Sequence, residues 1–217
     1  MFRAINIERM LILKKQTRII RTQPSRSSHR EHSSPIYMTS SFVFDSAEHA
    51  RVLFAEEAEG DIYTRYSNPN LTELVDKMKL LEGAEDGLTF ASGMATIFAT
   101  LAGLLKSGDH IVASRSLFGS TVKLLKDVLP RWGINTTFVD ADDVEAWRAA
   151  VTSNTKLLFA ETPSNPGLDI INLQQLAELK RDNSLILFVD NCFATPILQR
   201  PIEFGADLVA HSTTKFS

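Results

Sequence analysis

Three apolar runs in this 217-residue sequence each end on groups capable of acid–base or covalent chemistry. Leu157-Leu158-Phe159-Ala160 leads into Glu161 and then Thr162-Pro163-Ser164-Asn165-Pro166. Leu185-Ile186-Leu187-Phe188-Val189 leads into Asp190-Asn191, and Leu208-Val209-Ala210 into His211-Ser212-Thr213-Thr214-Lys215. A carboxylate at the end of a five-residue apolar run is drawn out of water, which is costly without a cationic partner. Asp190 is therefore either a charge partner in a functional site or a helix cap or structural ion pair. Lys215 also has two readings: an amine made nucleophilic where apolar surface disfavours its charged form, or part of a polar loop. The hydroxyls of Ser212 and Thr214 could donate to a phosphate. Ser92-Gly93-Met94 opens an apolar segment, and small residues at a helix N-terminus let backbone N–H groups approach an anion. The same triplet also reads as an ordinary serine N-cap.

These groups meet only if a scaffold gathers the strand ends. Asn68-Pro69 predicts a helix start, with Leu71, Leu74, Val75, Met78 and Leu81 at helical spacing and Gly83 ending the pattern. Further helices are predicted from Gly93 to Leu105, over 120–129, over 143–151, and over 173–182 behind the capping-box-like Asn172 and Gln175. Strands are predicted at Ile111–Ala113, Thr136–Val139, Lys156–Ala160, Leu185–Val189 and Asp207–Ala210. Continuous apolar runs alternating with helices imply an α/β sandwich with a mostly parallel sheet. In such a sheet ligands bind beyond the carboxyl ends of the strands, the edge to which Glu161, Asp190 and Lys215 belong.

The net charge of −3 is unevenly distributed: residues 1–30 hold eight Lys/Arg and one acid, Glu8, leaving a balance of −10 for the remainder. An acidic body does not suit nucleic acid. The basic N-terminus reads as an arm on a partner subunit or a loose tail, ahead of a targeting peptide, and residues 22–34 read as an extended polar connection. No apolar run approaches the ~20 residues a membrane span needs, so a soluble, cytoplasmic protein is expected. One cysteine, Cys192, allows no internal disulfide and excludes Cys₄ and Cys₂His₂ zinc sites. It reads as a small packing residue rather than a nucleophile. The histidines lack metal-ligand spacing, so no metal is expected. No Gly-x-Gly-x-x-Gly follows a strand, which weakens a dinucleotide-binding reading.

Taken together, Tyr63-Thr64-Arg65-Tyr66-Ser67-Asn68-Pro69, Ala91-Ser92-Gly93-Met94, Ser107-Gly108-Asp109-His110, Glu161-Thr162-Pro163-Ser164-Asn165-Pro166, Asp190-Asn191 and Ser212-Thr213-Thr214-Lys215 resemble the pyridoxal-phosphate (PLP) enzymes of cysteine and methionine metabolism. The resemblance runs from about residue 17 to residue 217. Arg115-Ser116-Leu117-Phe118-Gly119-Ser120-Thr121 and Asp190-Asn191-Cys192-Phe193-Ala194-Thr195-Pro196 resemble its O-succinylhomoserine sulfhydrylase branch.

The resemblance implies the large domain of the fold-type-I PLP-dependent transferases. Residues 1–60 would form an extension and arm and 61–217 the PLP-binding large domain, incomplete at its C-terminus and without the C-terminal domain. It implies pyridoxal 5′-phosphate as cofactor, an amino-acid substrate and, in the full-length form, a homo-oligomer built as a dimer of dimers. Lys215 would hold the cofactor as a Schiff base and shuttle protons. Asp190 would pair with the ring nitrogen. Gly93 and Met94 N–H groups, behind the cap Ser92, would hold the phosphate with Ser212 and Thr214. Tyr63 and Arg65 would complete that phosphate site from a neighbouring subunit. Phe118 would stack on the ring, Asn165 would lie near the ring oxygen, and Glu161 would support them.

Many relatives have tyrosine where this chain has Phe118. A ring without a hydroxyl stacks but cannot act as an acid, which favours a substrate whose leaving group departs unaided. The expected reaction is γ-replacement on O-succinylhomoserine or O-acetylhomoserine with sulfide, giving homocysteine. The alternatives are a cystathionine γ-synthase or γ-lyase of the same family, or a catalytically inactive fragment that keeps at most PLP or subunit binding.

Overall fold

The computed structural model describes residues 13–215, and in it the apolar runs of the second half become one five-stranded sheet. The first twelve residues of the expected N-terminal extension lie outside the described residues. The chain divides between Thr89 and Phe90 into two compact units.

In the second unit the strands are β1 (His110–Ser114), β2 (Asn135–Val139), β3 (Thr155–Glu161), β4 (Ile186–Asp190) and β5 (Leu208–Ala210). Their order is β2-β1-β3-β4-β5, and every neighbouring pair is parallel. Each central strand buries side chains on both sides, as its unbroken apolar sequence requires. Ile111, Ala113, Leu157, Phe159 and Phe188 face a cluster that includes Ile97, Leu101, Leu125 and Leu129. Val112, Leu158, Ala160, Leu187 and Val189 face Trp147, Leu173, Leu176 and Leu179. The sheet is thus the middle layer of an α/β sandwich, and Phe159 stacks on Phe188 across β3 and β4 at a 4.8 Å centroid separation.

The helices follow the predicted caps, with some differences. In the first unit, α1 (Lys15–Arg21) and α2 (Ala47–Phe54) were not legible in advance. They are short, and α2 rests on a local cap in which the Ser46 side chain accepts the His49 N–H. The predicted helix after Asn68 is α3 (Pro69–Glu82), with the Asn68 side chain capping its start and Gly83 at φ +78° closing it. Its apolar stripe is not a core, however: Leu71 and Leu74 are exposed. Helical spacing puts side chains on one face but does not supply the layer that covers them.

In the second unit, α4 is Gly93–Leu104, α6 is Val144–Ala150 and α7 is Leu173–Asn183. The helix expected over 120–129 is longer and irregular. It begins as α5 (Gly119–Lys123), widens into a π turn (Leu124–Val128) and tightens into a 3₁₀ turn (Leu129–Trp132). Pro130 has no N–H to continue the α ladder, and Gly133 at φ +74° ends the run. A short α8 (Thr195–Leu198) follows β4. The strand ends also shift by one residue: Glu161 and Asp190 do not follow β3 and β4 but are their last residues, paired in register.

Candidate active site

The strand order reverses between β1 and β3, since the chain proceeds from β1 outward to β2 and then returns to the other side as β3. A reversal of this kind leaves a crevice at the carboxyl ends of the two strands, the general ligand site of open α/β sheets. The loop after β1 carries Phe118, and the loop after β3 carries Asn165. Glu161, only 5% exposed, joins them: its Oε2 accepts the Phe118 N–H at 2.6 Å and its Oε1 accepts the Asn165 N–H at 3.0 Å. The Phe118 ring is left 39% exposed at this edge.

Burial pushes the Glu161 carboxyl up, to about 7. The Phe118 N–H opposes that shift, Asp190 adds to it, and the Asn165 N–H and Lys215 oppose it. Glu161 therefore lies within electrostatic reach of two other sequence-predicted site residues, Asp190 and Lys215.

Asp190 is buried and accepts the Cys192 N–H at 3.0 Å in a local turn. The Cys192 side chain is also hydrogen-bonded to Asp190. Burial first, and then the charge of Asp190, push the Cys192 thiol well above the ordinary thiol range, so Cys192 is a protonated donor and not a nucleophile. The neighbouring backbone is firmly held. Asn191 N–H donates to Ala210 O at 3.0 Å, and Gln199 Nε2 donates to Thr162 O at 2.8 Å and to Asn191 Oδ1 at 2.9 Å. Lys215 is exposed, with Nζ 5.9 Å from the centroid of the Phe193 ring.

The start of α4 meets the turn after β5. Ser92 caps the helix by accepting the Ala95 N–H at 3.1 Å, and the Thr121 hydroxyl lies 3.7 Å from Met94 Sδ. A Cβ on Gly93 would come within 3.0 Å of Ser212 Cβ and 3.3 Å of its Oγ, so any larger residue here would press on the Ser212 side chain. Thr214 N–H reaches Ser212 Oγ at 3.4 Å. The start of α4 and the Ser212 hydroxyl thus share one corner, with the Thr214 N–H against that hydroxyl, and such a corner offers donors to an anionic oxygen cluster.

Tyr63 and Arg65 belong to the first unit. There the Arg65 guanidinium sits 5.2 Å from the centroids of both Tyr63 and Tyr66, beside an open hollow of about 450 Å³ lined by Tyr37, Met38, Thr39, Ser40, Tyr63, Thr64 and Arg65. Asn68 and Asn70 staple the wall of that hollow: Asn68 Nδ2 donates to Tyr37 O at 3.1 Å, and Asn70 Oδ1 accepts the Tyr37 N–H at 2.8 Å.

One participant is not signalled by sequence reasoning. Asp169 accepts from the Ser164 hydroxyl at 2.8 Å and from the Ser116 side chain, and these bonds hold its carboxyl below the usual range. Nothing in its sequence neighbourhood points to Ser116, 53 residues earlier. Among the described residues no group of three or more His, Cys, Asp or Glu is placed to hold a metal ion, and no helix is long and apolar enough to cross a membrane.

The model of the Cys/Met metabolism PLP-dependent enzymes matches residues 16–217. The chain belongs to this family. It is 42% identical over 200 residues to an O-succinylhomoserine sulfhydrylase of Pseudomonas aeruginosa, covering 92% of this chain and 50% of that protein. It is 44% identical over 183 residues to an L-methionine gamma-lyase of Fusobacterium nucleatum, covering 84% and 46%. It is 45% identical over 183 residues to an O-acetyl-L-homoserine sulfhydrylase of Corynebacterium glutamicum, covering 84% and 42%. Among solved structures, that of an O-acetylhomoserine (thiol)-lyase from Campylobacter jejuni, which carries a pyridoxyl-lysine phosphate, superposes with a TM-score of 0.89 at 31% identity. It covers 94% of this chain and 50% of that one. The chain spans about half the length of the curated relatives it matches.

The family's cofactor is pyridoxal phosphate, and the corner described above suits it. The Gly93–Ser212 approach leaves a cradle that a Cβ would fill, and Asp190 offers a buried carboxylate at the end of the strand next to β3, in register with Glu161.

Proposed function

We propose that the protein carries out γ-replacement on O-succinylhomoserine or O-acetylhomoserine with sulfide, yielding homocysteine and the free acid. Bound pyridoxal phosphate supplies an electron sink for the carbanions formed at the substrate's Cα and Cβ. Lys215 Nζ would hold it covalently and would serve as the base that takes the substrate's Cα proton. Asp190, buried and oriented by the Cys192 N–H, holds a proton on the ring nitrogen. The N–H groups of Gly93 and Met94, with Ser212 and Thr214, bind the phosphate, and Tyr63 and Arg65 reach it from a neighbouring subunit of a homo-oligomer. The cytoplasm, where small amino-acid metabolites are available, is the proposed location.

The observation that carries the replacement reading is Phe118. It stands at the switch point with its backbone held by Glu161, and its ring has no hydroxyl with which to protonate a leaving group. A carboxylate leaves without that help, whereas a thiolate from methionine departs less readily. The 44% identity to a methionine gamma-lyase favours elimination as the second reading.

The test begins with the purified chain and added pyridoxal phosphate. A visible absorbance band that borohydride traps on Lys215 supports the cofactor site. No band, or label scattered over surface lysines, refutes it for this chain and leaves an inactive fragment. Assays follow with acyl-homoserine plus sulfide and with methionine alone. Homocysteine formation in the first supports replacement, and rapid methanethiol release in the second overturns it.

A further inference from the structure

Beyond the Ala113–Phe159 pair, β1 and β3 part, and their loops diverge around the crevice. Two carboxylates span the gap. Glu161 gives one oxygen to the Phe118 N–H and the other to the Asn165 N–H. Asp169 accepts from Ser116 on one loop and from the Ser164 hydroxyl on the other, while its own N–H donates to Ser164 Oγ at 2.9 Å. Gly167 makes room for this second strut, since a Cβ there would lie 2.7 Å from Asp169 Oδ2. Both carboxylates therefore tie residues 116–118 to residues 164–165.

We propose that Glu161, backed by Asp169, is a positioning residue that fixes the Phe118 loop against the Asn165 loop and so sets the gap into which the cofactor ring fits. The inference rests on the cofactor site proposed above. Its chemistry follows from donor counting. Both Glu161 oxygens accept N–H bonds, an arrangement that favours the ionised form, which accepts at full strength on both oxygens. A proton on Oε2 would set an O–H against the Phe118 N–H at 2.6 Å and release that loop. Burial and Asp190 make the carboxyl easier to protonate, while the Phe118 and Asn165 N–H groups and Lys215 oppose it. The balance, near 7, puts the clamp's release within the physiological range. Cys192, whose protonated thiol also faces this cluster, does not change charge there. The clamp therefore closes above about pH 7 and loosens below it.

The experiment measures amide hydrogen exchange at Phe118 and Asn165 in the chain without cofactor, and separately the affinity for pyridoxal phosphate. Each is followed from about pH 6 to 8 for the wild type, Glu161→Gln and Asp169→Asn. Wild-type protection at both amides should rise with pH beyond the intrinsic exchange correction. Glu161→Gln keeps one acceptor oxygen, so it should lose roughly tenfold protection at one amide or both, flatten the pH profile and weaken cofactor binding roughly tenfold. Asp169→Asn should lose less and keep the profile. If Glu161→Gln fails to fold, the wild-type pH profile and Asp169→Asn still decide. Flat wild-type protection, or unchanged protection in a folded Glu161→Gln, overturns the clamp. Lost protection with unchanged cofactor affinity overturns its role in setting the gap while leaving the cofactor site intact. A wild-type chain that forms no Lys215-linked band overturns the cofactor reading itself, before any variant is compared.

Discussion

Adding one methyl group at Gly93 tests the contact between α4 and the turn after β5. Gly93→Ala places a Cβ 3.0 Å from Ser212 Cβ and 3.3 Å from its Oγ, against the ~3.5–4.0 Å at which carbon atoms pack favourably. Relief requires the turn to retreat by about 0.5 Å. Overpacking of this kind costs ~1–3 kcal/mol, and the better helix propensity of alanine returns at most ~1 kcal/mol. The net loss of stability is thus about 0–3 kcal/mol. The effect on cofactor affinity is larger if Ser212 binds the phosphate as proposed, because moving it away would break a bond to an anion worth ~1.5–3 kcal/mol. Pyridoxal phosphate should bind roughly 10- to 100-fold more weakly.

The assay is a double-mutant cycle with Ser212→Gly, which removes both atoms the new methyl meets. Urea unfolding of the four proteins should give a coupling of about 1 kcal/mol, with Gly93→Ala harmless in the Ser212→Gly background. Cofactor titration should show no such rescue, since the Ser212 hydroxyl is absent there. Strict additivity in urea, together with wild-type affinity in Gly93→Ala, would refute the close approach and the phosphate cradle built on it.

Phe118→Tyr restores a hydroxyl at the switch point and should raise methanethiol release from methionine relative to homocysteine synthesis. An unchanged ratio removes the leaving-group argument. His110 makes contacts of 2.8 Å to Thr155 and 2.9 Å to Thr137, and burial lowers its pKa. The unfolded chain then holds the proton more tightly, so the neutral ring's contribution is present above about pH 6.5 and is lost as pH falls below it. Urea midpoints should drop more steeply on acidification in the wild type than in His110→Asn, and parallel slopes would contradict this. Leu158→Ala empties a fully buried site between the sheet and the Trp147–Leu176 layer and should cost ~2–5 kcal/mol in urea unfolding without a change in m-value.

The sequence by itself determined the local elements and the chemical inventory. Short continuous apolar runs suit strands covered on both faces, and the runs at Leu157 and Leu185 became β3 and β4. Asn68, Ser92 and Asn172 cap the helices they were expected to open. The ordered motifs pointed to the family, and three of them placed a reactive group at the end of an apolar run. What sequence could not supply was adjacency. Periodicity says which side chains share a face, not which element covers it, so the exposure of Leu71 and Leu74 went unforeseen. The order β2-β1-β3 is a property of the assembled sheet. That order alone brings the Phe118 N–H to Glu161, 43 residues away, and Ser116 to Asp169. A backbone N–H carries no residue identity, so a carboxylate's choice of such partners leaves no mark in the sequence. It emerges only when parallel packing sets two strand ends side by side and burial makes every unpaired polar group costly.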